Sequence, residues 1–244
     1  MPTTQIIKIK VETPDGALAP IQIAVSDEPA GLADLVPFIH ELTSGVVALA
    51  IGRAERDGRK LSCRAGCGVC CCQLVPIAPA EAFYMVGRIC ALPMAERKPI
   101  LDRFNDIKKR LTDIGLIKRI SALGETGDND TVGSDYFDLQ LPCPFLVDQS
   151  CSIHEWRPIA CREYNVTSPP RLCADPFRDK VDTIKLHRRM SSGLSRFCTE
   201  VAGLPSGQVP LPLMFDYYET FKPAASKTWP CADLFKQAMG FVLK

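Results

Sequence analysis

A chain of 244 residues is long enough to bury a hydrophobic core without covalent cross-links, and its formal net charge is only +1. The near balance of 29 Lys and Arg against 28 Asp and Glu argues against a surface that attracts nucleic acid or an anionic membrane. The amino terminus lacks the apolar segment of a secretory signal, and the apolar run 45–52 is far shorter than the roughly 20 residues of a membrane span. We therefore expect a cytoplasmic protein that binds neither nucleic acid nor membrane.

The predicted elements begin with a β-hairpin and a long helix. Apolar and polar residues alternate over 5–12 and over 20–26, and Pro14, Asp15 and Gly16 between them have turn chemistry. These segments predict an antiparallel hairpin with one buried face. Apolar residues at three- and four-residue steps then predict a helix from about residue 36 to the mid-50s, on which the hairpin can pack.

Further helices are predicted in the middle and at the end of the chain. Pro79 is at a favoured first helical position, with Glu81 in the first turn, so a helix is expected to begin there. Apolar periodicity predicts three more helices, at about 96–120, 179–202 and 231–243. The first of these is expected to turn Ile114 inward. The segment 121–140 is rich in Gly, Asp, Ser and Thr and predicts an exposed loop. Three cysteines on apolar helix faces are expected to be buried core residues: Cys90, Cys198 and Cys231.

Together these elements predict one domain of the α+β class that is mainly α-helical. The hairpin and its helix occupy 1–58, and C-terminal helices occupy 176–244. Between them, 60–175 is expected to form an irregular, cysteine-rich core that binds metal.

Five cysteines fall within the ten residues CRAGCGVCCC, 63–72, which we call the cysteine nest. Because the cytoplasm keeps thiols reduced, metal is expected here before disulfides. Thiolates held close together repel one another, and a bound cation removes that repulsion. Cys67 and Cys70 have the C-x2-C spacing found in zinc sites and in iron–sulfur loops. A redox dithiol would need only two cysteines, so the surplus favours a metal.

Four further cysteines are spread singly over 143–173, with seven to eleven residues between neighbours. A single cysteine cannot chelate with a near neighbour, so these make sense if the chain folds back onto the nest. The sequence therefore predicts that Cys143, Cys151, Cys161 and Cys173 meet the nest at a shared metal centre.

Two arginines flank Cys161 and are candidate cofactor-binding residues. Arg157 and Arg162 can offset the negative charge that several thiolates leave around a metal. They can equally form ordinary ion pairs with Glu155 or Glu163. For His154, an aromatic packing role is expected rather than metal ligation.

At these residues the chain resembles the CxxCxxCC zinc- or iron-chelating family, the YkgJ-type cysteine-cluster proteins. The resemblance rests on GCGVCC, CPFL, CSIHEWRPIACREY and VTSPPRLC and covers roughly residues 60–175. Three residues separate Cys63 from Cys67 here, and Cys72 is an additional thiol after the family's pair. The resemblance implies a metal-chelating or iron–sulfur protein whose metal ligands are Cys63, Cys67, Cys70, Cys71, Cys143, Cys151, Cys161 and Cys173. Eight thiolates suit two four-ligand sites or one cluster with spare cysteines, and the spacing alone leaves both open. One described relative is a flagellin lysine methylase.

The sequence therefore predicts an iron–sulfur protein that acts in electron transfer or protein modification, with a protein substrate or a redox partner. The alternatives are a zinc-stabilised binding module without catalysis, and metal storage or delivery. Adjacent cysteines such as Cys70 and Cys71 rarely reach one zinc ion without strain, which favours the cluster. No glycine-rich nucleotide-binding fingerprint is present.

Overall fold

The computed structural model describes residues 4–12, 18–123, 129–205 and 207–243. As predicted, these residues form an α+β fold that is mainly helical, with small antiparallel strand pairs. The helices are α1 Leu35–Arg56, α2 Pro79–Cys90, α3 Met94–Asp113, α4 Leu116–Ser121, α5 Asn129–Asp138, α6 Ile159–Glu163, α7 Met190–Glu200, α8 Met214–Thr220, α9 Lys222–Ala225 and α10 Cys231–Val242. The strands are β1 Thr4–Glu12, β2 Leu18–Ser26, β3 Ala30–Gly31, β4 Pro76–Ile77, β5 Leu146–Val147, β6 Ser150–Cys151, β7 Val209–Pro210 and β8 Thr228–Trp229.

The amino-terminal hairpin is confirmed. Strands β1 and β2 pair antiparallel with Ile7 opposite Ile23, and Ile23 and Val25 are buried. The predicted turn at Pro14, Asp15 and Gly16 lies outside the described residues. The hairpin packs chiefly on α10 rather than on the helix that follows it, because the apolar face of α10 returns to the same core.

Helix α1 begins and ends close to the predicted limits. Among the described residues, Leu32–Arg56 is the one helical segment whose length and apolar composition would allow it to cross a membrane. A core helix passes the same test, and Leu35, Val36 and Ile39 are fully buried among residues of the main core. This segment is therefore weak evidence for a membrane span.

Two helical predictions in the middle of the chain were wrong. The helix expected over 96–120 is broken at Gly115, whose φ of 74° is left-handed, so that α3 and α4 are separate. Ile114 at the break is 56% exposed instead of turning inward. The loop expected over 121–140 contains α5, because Val132 and Tyr136 lie one turn apart and are buried together.

Two predictions about C-terminal and surface residues also needed correction. Helix α7 begins at Met190, and the preceding chain is extended: the N–H of Ile184 donates to the carbonyl of Asn165 at 2.8 Å. Cys90, expected in the core, is exposed at the last position of α2, because the buried face of the helix ends at Ile89. Cys198 and Cys231 are buried core residues, as predicted.

Helices α7 and α10 cross so closely that only glycine fits at position 193. A Cβ on Gly193 would lie 2.6 Å from Cα of Val242 and 2.7 Å from the carbonyl oxygen of Phe241. We expect Gly193→Ala to lower the free energy of unfolding by about 2 kcal/mol, because backbone atoms must move apart. Gly87→Ala on α2 is the control, since its Cβ meets nothing within 4 Å and should stabilise by up to about 1 kcal/mol. Equal thermal unfolding midpoints for the two variants would contradict this packing.

Candidate metal centre

One cavity of about 810 Å³ brings the two cysteine segments together. All eight predicted ligand cysteines line it: Cys63, Cys67, Cys70, Cys71, Cys143, Cys151, Cys161 and Cys173. The other four cysteines, Cys72, Cys90, Cys198 and Cys231, do not. All twelve lie within the described residues and none forms a disulfide. The cavity therefore separates the predicted ligands from the remaining cysteines, while their role as ligands stays a prediction.

Two turns shape the cysteine nest. Gly66 adopts a left-handed φ of 77°, and the N–H of Cys67 donates to the carbonyl of Arg64 at 3.2 Å. Residues Val69–Cys72 then form a 3-10 turn, which directs Cys70 and Cys71 to the cavity and leaves Cys72 outside its lining. A tight 3-10 turn separates adjacent side chains by about 120°, so three consecutive cysteines cannot all point the same way.

Backbone hydrogen bonds join the nest to the second segment. The N–H of Cys143 donates to the carbonyl of Cys71 at 2.6 Å, and the N–H of Ser62 donates to the carbonyl of Val166 at 2.9 Å. The 3-10 turn of the nest also packs against Pro170–Ala174, which contains Cys173. The sulfur-bearing segments are thus held together by the chain itself.

A buried carboxyl group fixes α6, the short helix that contains Cys161. Glu81 is fully buried; its Oε2 accepts the N–H of Ala78 at 2.9 Å and its Oε1 accepts the N–H of Ile159 at 2.7 Å. Loss of solvation raises the pKa of Glu81 to about 7, against the two amide donors. The sequence pattern predicted only a favourable first-turn charge here. The long-range contact to Ile159 could not be read from it.

Burial keeps most of the cavity thiols protonated. It raises the pKa of Cys143 to about 12 and that of Cys161 well above its ordinary value. Cys70 is different: the thiol of Cys71 donates to it and lowers its pKa to about 7, while the pKa of Cys71 rises in return. Cys70 therefore ionises more readily than its neighbour Cys71.

The two arginines near Cys161 differ in their partners. Arg162 donates to the carbonyls of Arg157 and Glu155 and to Oγ of Ser44 on α1. Its contact with Glu155 is to the backbone carbonyl and not to the carboxylate. The carboxylate of Glu163 accepts hydrogen bonds from the N–H and the hydroxyl of Ser191. The Nε of Arg157 is buried with no hydrogen-bond partner among the described residues. Arg157, Arg162 and His154 line the cavity, and His154 is exposed there rather than packed among aromatic residues.

The thiols surround the cavity without meeting at a point. Within the described part of the chain, no three side chains of His, Cys, Asp or Glu are arranged to hold a single metal ion. A tetrahedral zinc site would need four donors, each about 2.0–2.3 Å from one ion.

Comparisons with models of protein families, with curated proteins and with solved structures find no match to this chain. The resemblance to the CxxCxxCC family therefore rests on the motif residues themselves and stays a prediction.

Proposed function

We propose that this protein binds an iron–sulfur cluster and acts in the cytoplasm, in electron transfer or in the modification of another protein. A single observation carries the proposal. Eight cysteines from two segments line one cavity, and the other four lie outside it. The proposal includes membership of the CxxCxxCC family, as the motifs suggest.

The arrangement of the thiols favours a cluster over a single ion. In a four-iron cluster each thiolate is attached to a different iron atom, so the ligands surround a volume and do not converge on one point. Thiols that line a common cavity, with no three positioned for one ion, fit this requirement. A cluster bound there would accept and release electrons one at a time.

The surrounding chain offers the contacts that such a group needs. The N–H of Val166 donates to Sγ of Cys63 at 3.4 Å, and backbone amides of Phe145 and Ile153 lower the pKa values of Cys143 and Cys151 against the effect of burial. Hydrogen bonds to sulfur tune the potential of iron–sulfur centres. Arg157 adds positive charge beside thiolates that would otherwise leave an excess of negative charge.

Purification under anaerobic conditions tests the proposal directly. We expect a brown protein with broad visible absorption, and iron and acid-labile sulfide in equal amounts on the same sample. A colourless protein with stoichiometric zinc would contradict the cluster and support the zinc-stabilised module. Substoichiometric, exchangeable metal would also contradict it and support metal storage or delivery.

A further inference from the structure

The lining of the cavity carries a local excess of positive charge. Four arginines contribute to it, and the described residues of the lining include no Asp or Glu: Arg64, Arg157, Arg162 and Arg189. The whole chain is nearly neutral, so this excess is local. Two of the arginines face buried carboxylates just outside the lining, Arg162 towards Glu81 and Arg189 towards Glu163, which balance part of this charge. A cavity of this charge attracts anions.

One buried donor in the lining lacks an acceptor. The Nε of Arg157 is shielded from solvent and has no hydrogen-bond partner among the described residues, and Arg157 lines the cavity. Because a buried donor without an acceptor destabilises the folded protein, this arrangement favours a ligand with acceptor oxygen atoms.

Helix α1 gives the cavity an apolar wall, which favours a ligand with an apolar part. Ser44, Val47, Ala48 and Ile51 follow one another at helical spacing and form one wall of the cavity, which is apolar beyond Ser44. Arg162 donates from Nη1 to Oγ of Ser44 at 3.0 Å and from Nε to the carbonyl of Arg157 at 3.1 Å. These bonds hold the guanidinium group of Arg162 between Ser44, at one end of the apolar stripe, and the backbone of Arg157.

We propose that the cavity binds an organic acid, with its carboxylate or phosphate group at Arg157 and its apolar body against the α1 stripe. Its volume of about 810 Å³ lies within the range of small-molecule sites, roughly 300–1,000 Å³. Guanidinium groups bind carboxylate and phosphate oxygens alike. This site goes beyond the proposed function and lies in the same cavity, which the organic acid would share with a bound cluster.

Isothermal titration calorimetry of the anaerobically purified protein tests the site. Sodium hexanoate and hexyl phosphate supply the two anionic groups on the same apolar body, acetate and inorganic phosphate supply the groups alone, and hexylammonium reverses the charge. We expect at least one hexyl anion to bind at one site per chain, about tenfold or more tightly than its short counterpart, and hexylammonium not to bind. Stronger binding of hexanoate or of hexyl phosphate identifies the anionic group that the site prefers.

Two pairs of variants separate the head group from the apolar wall. Arg157→Gln should weaken the hexyl anion about tenfold or more, whereas Arg53→Gln, which removes a charge outside the lining, should not. Ile51→Ser should weaken the hexyl anion but not acetate, whereas Leu49→Ser, at a 62% exposed position on the same helix, should change neither.

Absence of binding by both hexyl anions would overturn the organic-acid site. Equal binding of the short and hexyl anions, or an unchanged affinity in Arg157→Gln, would overturn it as well. Iron and sulfide measured on the same samples report separately on the cluster, so either proposal can fail without the other.

Discussion

Replacement of Cys161 by serine is expected to remove most of the bound iron. Cys161 lines the cavity, and its thiol interacts electrostatically with Cys70, Cys143 and Cys151. A serine hydroxyl stays protonated at neutral pH and does not replace a thiolate ligand. Elemental analysis and visible absorption of the anaerobically prepared variant would show the loss.

Two other cysteines provide matched controls for Cys161→Ser. Cys198 is fully buried but lies outside the cavity, and Cys90 is exposed. Cys198→Ala should retain iron despite a loss of stability of about 1–2 kcal/mol. Cys90→Ala should retain iron and change stability by less than about 0.5 kcal/mol, because its thiol is exposed and not in the core, where the sequence had predicted it. Equal iron loss from all three variants would contradict the assignment.

Glu81→Ala is expected to give a large loss of stability, about 4 kcal/mol, or a thermal midpoint roughly 10 °C lower. The substitution leaves the buried N–H groups of Ala78 and Ile159 without acceptors and separates α2 from α6. Glu96→Ala removes an exposed carboxylate from the first turn of α3 and should cost no more than about 1 kcal/mol. Similar midpoints for the two variants would contradict the bridging role.

The pH dependence of stability gives a second measure of Glu81. Its pKa is about 7 in the folded protein and 4.5 is its ordinary value, so the folded state holds this proton more tightly than the unfolded chain. The stability contributed by the proton is complete below about pH 4.5 and is lost as the pH rises through about 7, by up to roughly 3 kcal/mol. Glu81→Gln does not titrate, so its stability relative to the wild type should increase between pH 5 and pH 8. A constant difference over that range would show that Glu81 keeps an ordinary pKa.

Local chemistry determined which elements could be predicted from the sequence. The alternation around Ile7 and Ile23 and the proline at position 79 are signals within a few residues, and the hairpin and α2 follow them. Helix α5 was missed because its polar composition resembles a loop and its burial comes from distant packing. The segment before Met190 has helical apolar spacing, yet tertiary pairing with Asn165 and Val166 keeps it extended.

The site shows the same division between local and distant causes. The number and spacing of cysteines predicted that the two segments meet, and the family resemblance selected the eight cysteines that line the cavity and left out Cys72. The orphaned Nε of Arg157, the Glu81 bridge and the apolar wall of α1 depend on contacts between segments far apart in the chain. Those contacts have no signature within a short sequence window.

The backbone hydrogen bonds between the nest and the second segment can form only after the second segment has been synthesised. Cys72 leaves the ribosome about a hundred residues before Cys173, an interval of roughly 5–20 s at ordinary rates of translation. Until Cys143 and Val166 have been synthesised, the carbonyl of Cys71 and the N–H of Ser62 have no partners to close the cavity. During those seconds five thiols of a nascent chain are open to oxidants and to any thiophilic metal. Cells that make this protein under oxidative or copper stress should therefore accumulate damage in the newly made chain sooner than in the finished one.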